Sequence, residues 1–336
     1  MVPGPSSREE ACAPSELERA KGAVVGLAFG EAVCGGGQAR ATVQSLALAG
    51  VCLQRPPWSL GAWTCWLLAG QRKGVWRDGD RFLNEALMRL RRGEPPERVG
   101  FPTPHIGPAA RIGPLGVVLR RDPAHLIRAA FESTLVTHAD LRAAAFAFAV
   151  AYAVARLVDG DELADVVTVL PSAVRGVEDS WAPPRHPAWE RDQGQPHAVS
   201  DTMRDAFHSF PADRRGALQA EHIRDAVCVH ALTRFSKQVS AHPNGSLVLL
   251  GGMHALAMAL LSPEPAPGVL AQIAAQGGKD AGLVGAVAGT LLGARYGTRW
   301  RVVVPGRVER WADSIARGEA LEGRDAFVGG SWETGE

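Results

Sequence analysis

Strand-building residues are scarce in this chain. Aromatics make up 6% of its 336 residues, with 2 Tyr among them, while Ala, Leu, Val and Arg dominate, a composition that favours helices. No sign of charge prevails either. The 36 Lys and Arg stand against 35 Asp and Glu, a net of +1, so no global field draws the chain to nucleic acid or an anionic membrane. Cysteine is sparse and odd in number: Cys12, Cys34, Cys52, Cys65 and Cys228 contain no C-x-x-C pair. That excludes a zinc ribbon or a disulfide frame and predicts small buried hydrophobes in a reducing compartment. No apolar leader follows the polar, Pro-rich start MVPGPSSREEACAP. The most apolar runs, such as Ala143 to Leu157, read as too short for a membrane span, and Arg156 ends this one. G-x-S-x-G, P-loop, H-E-x-x-H and dinucleotide fingerprints are all missing. These absences predict a soluble, cytoplasmic protein with no nucleic-acid or membrane partner.

What is present is apolar, 46% of residues against 21% charged, enough for a packed core. Residues 1–14 read as a disordered tail. Ser15-Glu16-Leu17-Glu18 forms a capping box that starts a helix, and Glu31 to Gln38, with three glycines, ends it. Further helices are expected over Trp58 to Gln71, Phe82 to Arg92, Ala124 to Leu135, His138 to Val158, 201–236, Ser246 to Leu261, Val269 to Gln276, Gly278 to Gly297 and Arg307 to Gly318. Five prolines make Gly93 to Pro108 a loop. Residues 180–198, also Pro-rich, read as a surface insertion, and 319–336 as a C-terminal tail. Arg301 to Pro305 suits a short strand, but one strand builds no sheet. The expectation is an all-α, compact single domain over 15–318.

Two glycine rows stand out. Gly22, Gly26 and Gly30 recur every four residues, as do Gly285, Gly289, Gly293 and Gly297. Each Gly inside a helix costs about 0.5–1 kcal/mol against Ala, so close packing on another small-residue helix must offset the row. The first row and the Ala-rich 143–155 stretch are the expected partners. A membrane G-x-x-x-G dimer is the alternative, opposed by Arg295 and the shortness of the apolar stretch.

Four blocks carry a family resemblance. RAKGAVVGLAFGEAV (19–33), GPAARIGPLGVV (107–118), THADLRAAAFAFAVAYAVARLVDG (137–160) and GKDAGLVGAVAGTLLGARYG (278–297) resemble the successive motifs of the ADP-ribosylglycohydrolase family, dinitrogenase-reductase-activating type. The resemblance spans about 16–315. It implies a compact all-α fold, two magnesium ions, and hydrolysis of the bond between ADP-ribose and a side chain. It also implies metal ligands from a T-D-D-T motif and a D-x-D-[TS] motif.

Both motifs are altered here. Where T-D-D-T belongs, the chain has Gly61-Ala62-Trp63-Thr64, and in the second motif Asp280 stays while Gly282 and Leu283 replace a carboxylate and a hydroxyl. Glu31 stands where the family has Asp. The remnant metal positions are thus Asp280 and Thr64, and the candidate catalytic carboxylates are Glu31 and Asp280. One carboxylate does not hold two divalent ions, each of which takes about six oxygens. No cofactor is therefore expected beyond weak residual magnesium. Asp, Asn and Ser are preferred helix N-caps, so Asp280 also has a structural reading as the cap of its helix.

Anion recognition is the function most open to survive. Gly107 and Arg111 align with the loop that faces the ADP-ribose phosphates in the family, although Arg111 would equally suit a helix cap. Gly35 and Gly36 suit an amide nest or a plain turn. Lys279 suits a phosphate or a solvated surface. His105, His138, His242 and His254 are the histidines placed to line a cavity, and His254, on an apolar helix, reads as a hydrogen-bonded core residue. The leading expectation is a family member that has lost hydrolysis but binds an ADP-ribose-like small molecule or an ADP-ribosylated protein. The alternatives are a hydrolase with altered metal dependence, using Asp280, Glu31 and Thr64, and a structural scaffold whose cleft Trp63 plugs.

Overall fold

The computed structural model describes residues 13–37, 40–54, 58–76, 81–180, 197–209, 220–234, 242–300 and 303–321. The expected tails and the 180–198 insertion fall almost wholly outside these residues. The first part of the chain forms α1 (Glu16–Cys34), α2 (Arg40–Gln54), α3 (Leu60–Arg72), α4 (Arg81–Arg91), α5 (Gly107–Arg111), α6 (Gly113–Val118), α7 (Pro123–Leu135) and α8 (Leu141–Asp159). The rest forms α9 (Leu163–Ser180), α10 (Ala198–His208), α11 (Ala220–Arg234), α12 (Met253–Leu261), α13 (Ala266–Gln276), α14 (Ala281–Tyr296) and α15 (Gly306–Arg317). Among the described residues there is no strand. Two isolated bridges join Phe101 to His138 and His105 to Leu247. The fold is all-α, and one hydrophobic core runs through it.

The glycine rows explain its centre. α1 and α14 cross with Gly22, Gly26 and Gly30 facing Gly293, Gly289 and Gly285 in turn. At each of these positions a Cβ would come closer than 3.0 Å to the partner's carbonyl oxygen. The two backbones therefore touch, and the dispersion gained along that seam offsets the glycine cost. Thr290 adds a cross-link, its hydroxyl donating to the Ala23 carbonyl at 2.9 Å. The Ala-rich α8 packs against the pair from another side. By length and hydropathy α8 does match a membrane span, contrary to the sequence reading, but 78% of that apolar window is buried inside the fold. It serves as a core helix.

Local signals set several boundaries. Ser15 accepts from the Glu18 amide at 3.2 Å and Glu18 accepts from the Ser15 amide at 2.7 Å, completing the capping box. Asp140 caps α8 through the Arg142 amide at 2.9 Å, which moves its start from His138 to Leu141. The expected helix over 201–236 is two helices, α10 ending at His208 and α11 beginning at Ala220. Ser246 to Leu261 opens with a π turn at Val248–Gly252 before α12. The Pro-rich 93–108 stretch holds one 3-10 turn at Pro96–Arg98 and runs into α5 at Gly107. Val303 to Pro305 is not in a helix or strand.

Four helices were not expected from the sequence: α2, α9 and the short α5 and α6. The sequence before α2 ends in Ala39, which has no capping oxygen, and its first amides are instead held by Glu31 on α1. α9 carries Pro171 inside it, which breaks the pattern that marks a helix.

Candidate functional site

A cavity of about 580 Å³ opens where the first turns of α2, α4 and α14 meet. Glu31 from α1, Arg40, Ala41 and Gln44 from α2, Arg81 and Phe82 from α4, and Asp280 and Leu283 at the start of α14 line it. His105, Gly107, Ser246, Lys279 and Gly282 complete the wall. The loop before α14 turns through Gly277 and Gly278, at φ 63° and 102°. Buried Asn244 pins that loop, donating to the Ile273 carbonyl at 2.8 Å and the Gly277 carbonyl at 2.6 Å. Asn244 thus positions Lys279 and Asp280. Its only sequence signal was the turn His242-Pro243-Asn244-Gly245.

Glu31 is buried and wholly engaged. One carboxylate oxygen accepts from the Ala41 amide at 2.7 Å, the other from the Thr42 amide at 2.8 Å and the Thr42 hydroxyl at 2.7 Å. Burial pushes its carboxyl above the ordinary range, opposed by these bonds from Ala41 and Thr42 and by the Arg40 amide. In effect Glu31 is the N-cap of α2, supplied from another helix. Asp280 differs. It occupies the N-cap position of α14, yet its side chain makes no capping bond, so the expected capping role is not observed. Its Oδ1 lies 4.0 Å from His105 Nε2, beyond hydrogen-bond range. His105 Nδ1 accepts the Gly107 amide at 3.0 Å, which puts the neutral ring's proton on Nε2.

Several sequence candidates sit elsewhere. Arg111 does not face the cavity. It is 1% exposed and donates to Gln44 Oε1 at 2.7 Å, the Ser133 carbonyl at 2.8 Å and Thr137 Oγ1 at 2.7 Å. α5 turns its side chain into the core, so it binds α2 and α7 together. Thr64 donates to the Gly61 carbonyl at 3.0 Å within α3 and does not line the cavity. Trp63 is fully buried, with the Arg111 guanidinium 5.8 Å from its ring and no partner for its indole N–H. Gly61 and Ala62 share that first turn of α3. Gly35 and Gly36 make a turn rather than an open nest: the Gly35 amide donates to Glu31 O and the Gly37 amide to Ala32 O. A methyl on Gly282 would crowd the Gly35 Cα at 3.0 Å, so Gly282 lets α14 approach the end of α1.

The histidines divide. His105 and His138 stack with ring centroids 5.5 Å apart, and Phe82 lies 5.1 and 5.2 Å from them. His138 is wholly buried and its pKa falls well below the usual value through desolvation. His254 is buried but not hydrogen-bonded as expected: among the described residues neither ring nitrogen has a partner, and burial lowers its pKa to about 4. His242 lies outside the cavity wall, next to Gly278.

Three cations line the cavity: Arg40, Arg81 and Lys279. Among the described residues none of the three forms an ion pair. Arg81 lies over the faces of Phe82 and Phe101, at 4.8 and 5.7 Å. Among the described residues no three His, Cys, Asp or Glu side chains gather as a metal site would require. A second cavity, of about 400 Å³, lies between α9 and α10. There Arg175 and Arg204 converge on Asp201, at 3.0 and 3.2 Å, so its charged lining is already paired.

A protein-family model described as ADP-ribosylglycohydrolase matches residues 13–330. Among solved structures 40 chains match. One of them, described as "ADP-ribosylglycohydrolase-related protein complex", is 21% identical, with a TM-score of 0.55 over 91% of this chain and 99% of that one. At that identity the likeness speaks for the fold alone. No curated protein matches.

Proposed function

The chain belongs to the ADP-ribosylglycohydrolase family, and from that premise we propose that it is a ligand-binding member in which dimetal hydrolysis has been lost. One observation carries the reading. Of the two carboxylates on the cavity wall, Glu31 is already occupied by the start of α2, which leaves Asp280. A magnesium pair of the kind the family resemblance implies needs several oxygen ligands per ion. Thr64, the other remnant position, stands off the cavity, as does Trp63, and Leu283 presents hydrocarbon, which does not solvate a cation. The residues present do not fit the pair, and no step of a mechanism is drawn through it.

What the cavity offers instead is volume and positive charge. About 580 Å³ falls in the range of small-molecule sites. An ADP-ribose-like ligand, free or on a modified protein, is the class we assign to it, consistent with the dinitrogenase-reductase-activating branch that the four sequence blocks resemble. Trp63 is buried in the core and is not part of the cavity wall, which argues against a plugged scaffold. Free thiols at Cys34, Cys52, Cys65 and Cys228 suit the cytoplasm.

The test is turnover. Arginine- and serine-linked ADP-ribosyl proteins are incubated with the full chain and millimolar magnesium, and released ADP-ribose is measured. The reading expects none above the uncatalysed rate, together with measurable ADP-ribose binding. Release that disappears in Asp280→Ala would establish a working hydrolase instead.

A further inference from the structure

Building on that reading, we propose that the cavity recognises a phosphorylated sugar without metal. Arg40, Arg81 and Lys279 balance the phosphate charge, and Asp280 accepts a sugar hydroxyl.

Three cations face one space, and among the described residues none is neutralised by a carboxylate. All three are exposed on the wall of one cavity, and their summed positive potential draws an anion into it. The first turns of α4 and α14 also border this space, whereas the first amides of α2 are already taken by Glu31. Arg81 is also held in place by its stacking on Phe82 and Phe101, which lowers the entropy lost when it binds. A guanidinium and an ammonium are the side chains suited to phosphate, the first as a fork and the second as a point charge.

Asp280 gives the proposal its second half. It is the one wall carboxylate whose side-chain acceptors no capping bond engages, and His105 stands too far off to hold it. A bare anion such as pyrophosphate would be repelled by it. A ligand whose phosphate is followed by hydroxyls satisfies both the cations and the carboxylate. Magnesium, which would have to enter beside three cations with one open carboxylate to meet it, has no part in this recognition.

The experiment uses calorimetry on the full chain in EDTA with two probes, ribose 5-phosphate and inorganic pyrophosphate. Both are expected to bind, ribose 5-phosphate the more tightly. Arg40→Gln and Lys279→Gln should each weaken both probes by about five- to tenfold, the range of a lost charge-assisted contact. Asp280→Asn should act in opposite directions, weakening ribose 5-phosphate by about tenfold and tightening pyrophosphate by removing a like charge. Thermal melts of each variant establish folding. The proposal is overturned if neither probe binds in EDTA, if binding needs magnesium, or if pyrophosphate binds and the sugar phosphate does not. It is equally overturned if Asp280→Asn leaves both probes unchanged or shifts them the same way. Magnesium-dependent turnover of ADP-ribosyl protein would sink the preceding functional reading while leaving metal-free binding of the two probes to stand or fall by itself.

Discussion

Replacing Glu31 by Ala separates a structural carboxylate from a catalytic one. The substitution strips partners from the Ala41 amide, the Thr42 amide and the Thr42 hydroxyl. Each orphaned donor costs about 1–3 kcal/mol when buried. Part of this is returned, because the cavity admits water to the exposed turn and because a desolvated carboxyl is removed. A net loss of about 3 kcal/mol follows, above the ~0.5–2 kcal/mol of an ordinary N-cap because three donors are orphaned at a buried site. Unfolding entropy near the midpoint is about 2.1 cal/mol/K per residue, or about 0.7 kcal/mol/K for 336 residues. The melting temperature should therefore fall by about 4 °C. Differential scanning calorimetry reads this directly, and Glu31→Gln, which keeps one acceptor oxygen, should fall about half as far. A Glu31→Ala protein that melts with the wild type yet loses ligand binding or turnover would refute the reasoning, because Glu31 would then act on the ligand and not on α2.

Gly289→Ala should cost at least about 3 kcal/mol despite the better helix propensity of Ala, since its methyl meets a backbone carbonyl that cannot move aside; chemical denaturation checks it, and a neutral result would mean the α1–α14 seam is looser than described. Trp63→Phe should cost less than about 1.5 kcal/mol because no indole hydrogen bond is lost, whereas Trp63→Ala should cost about 3–5 kcal/mol; the two midpoints in urea decide. His254 sets a pH dependence. Its folded pKa of about 4 lies below the ordinary 6.5, so the unfolded chain takes up the proton first, and stability is full above the unfolded pKa and lost as pH falls towards 4. The full swing is about 3 kcal/mol, and His254→Leu should remove that share; a midpoint shift between pH 7 and pH 5 as large in His254→Leu as in the wild type would contradict the assignment.

The helical scaffold was legible because its signals are local. The Ser15–Glu18 box, the Gly and Ala spacings and the proline clusters each act within a few residues. Packing of one glycine row on the other was expected from their spacing, while the register that sets Gly26 on Gly289 emerges from the structure. The site was less legible because its logic is long-range. Glu31 looked like a substituted ligand until α2, unmarked by any cap of its own, arrived to occupy it. Arg111 looked like a phosphate contact, but α5 turns it into the core. Nothing in the sequence brings Arg40 and Arg81 to Lys279, which are separated by long stretches of chain, and only the packing of three helix starts does so. The missing partners of His254 were equally hidden, since they depend on what other helices do not offer it.

The central claim is that side-chain charge, and not a divalent pair, organises this cavity. Calorimetric titration of magnesium into the chain tests it most directly, alone and with saturating ADP-ribose. The account predicts no saturable uptake below the millimolar range and the same ADP-ribose affinity in EDTA. Two magnesium ions bound per chain at micromolar concentration, or ADP-ribose affinity abolished by EDTA, would contradict it.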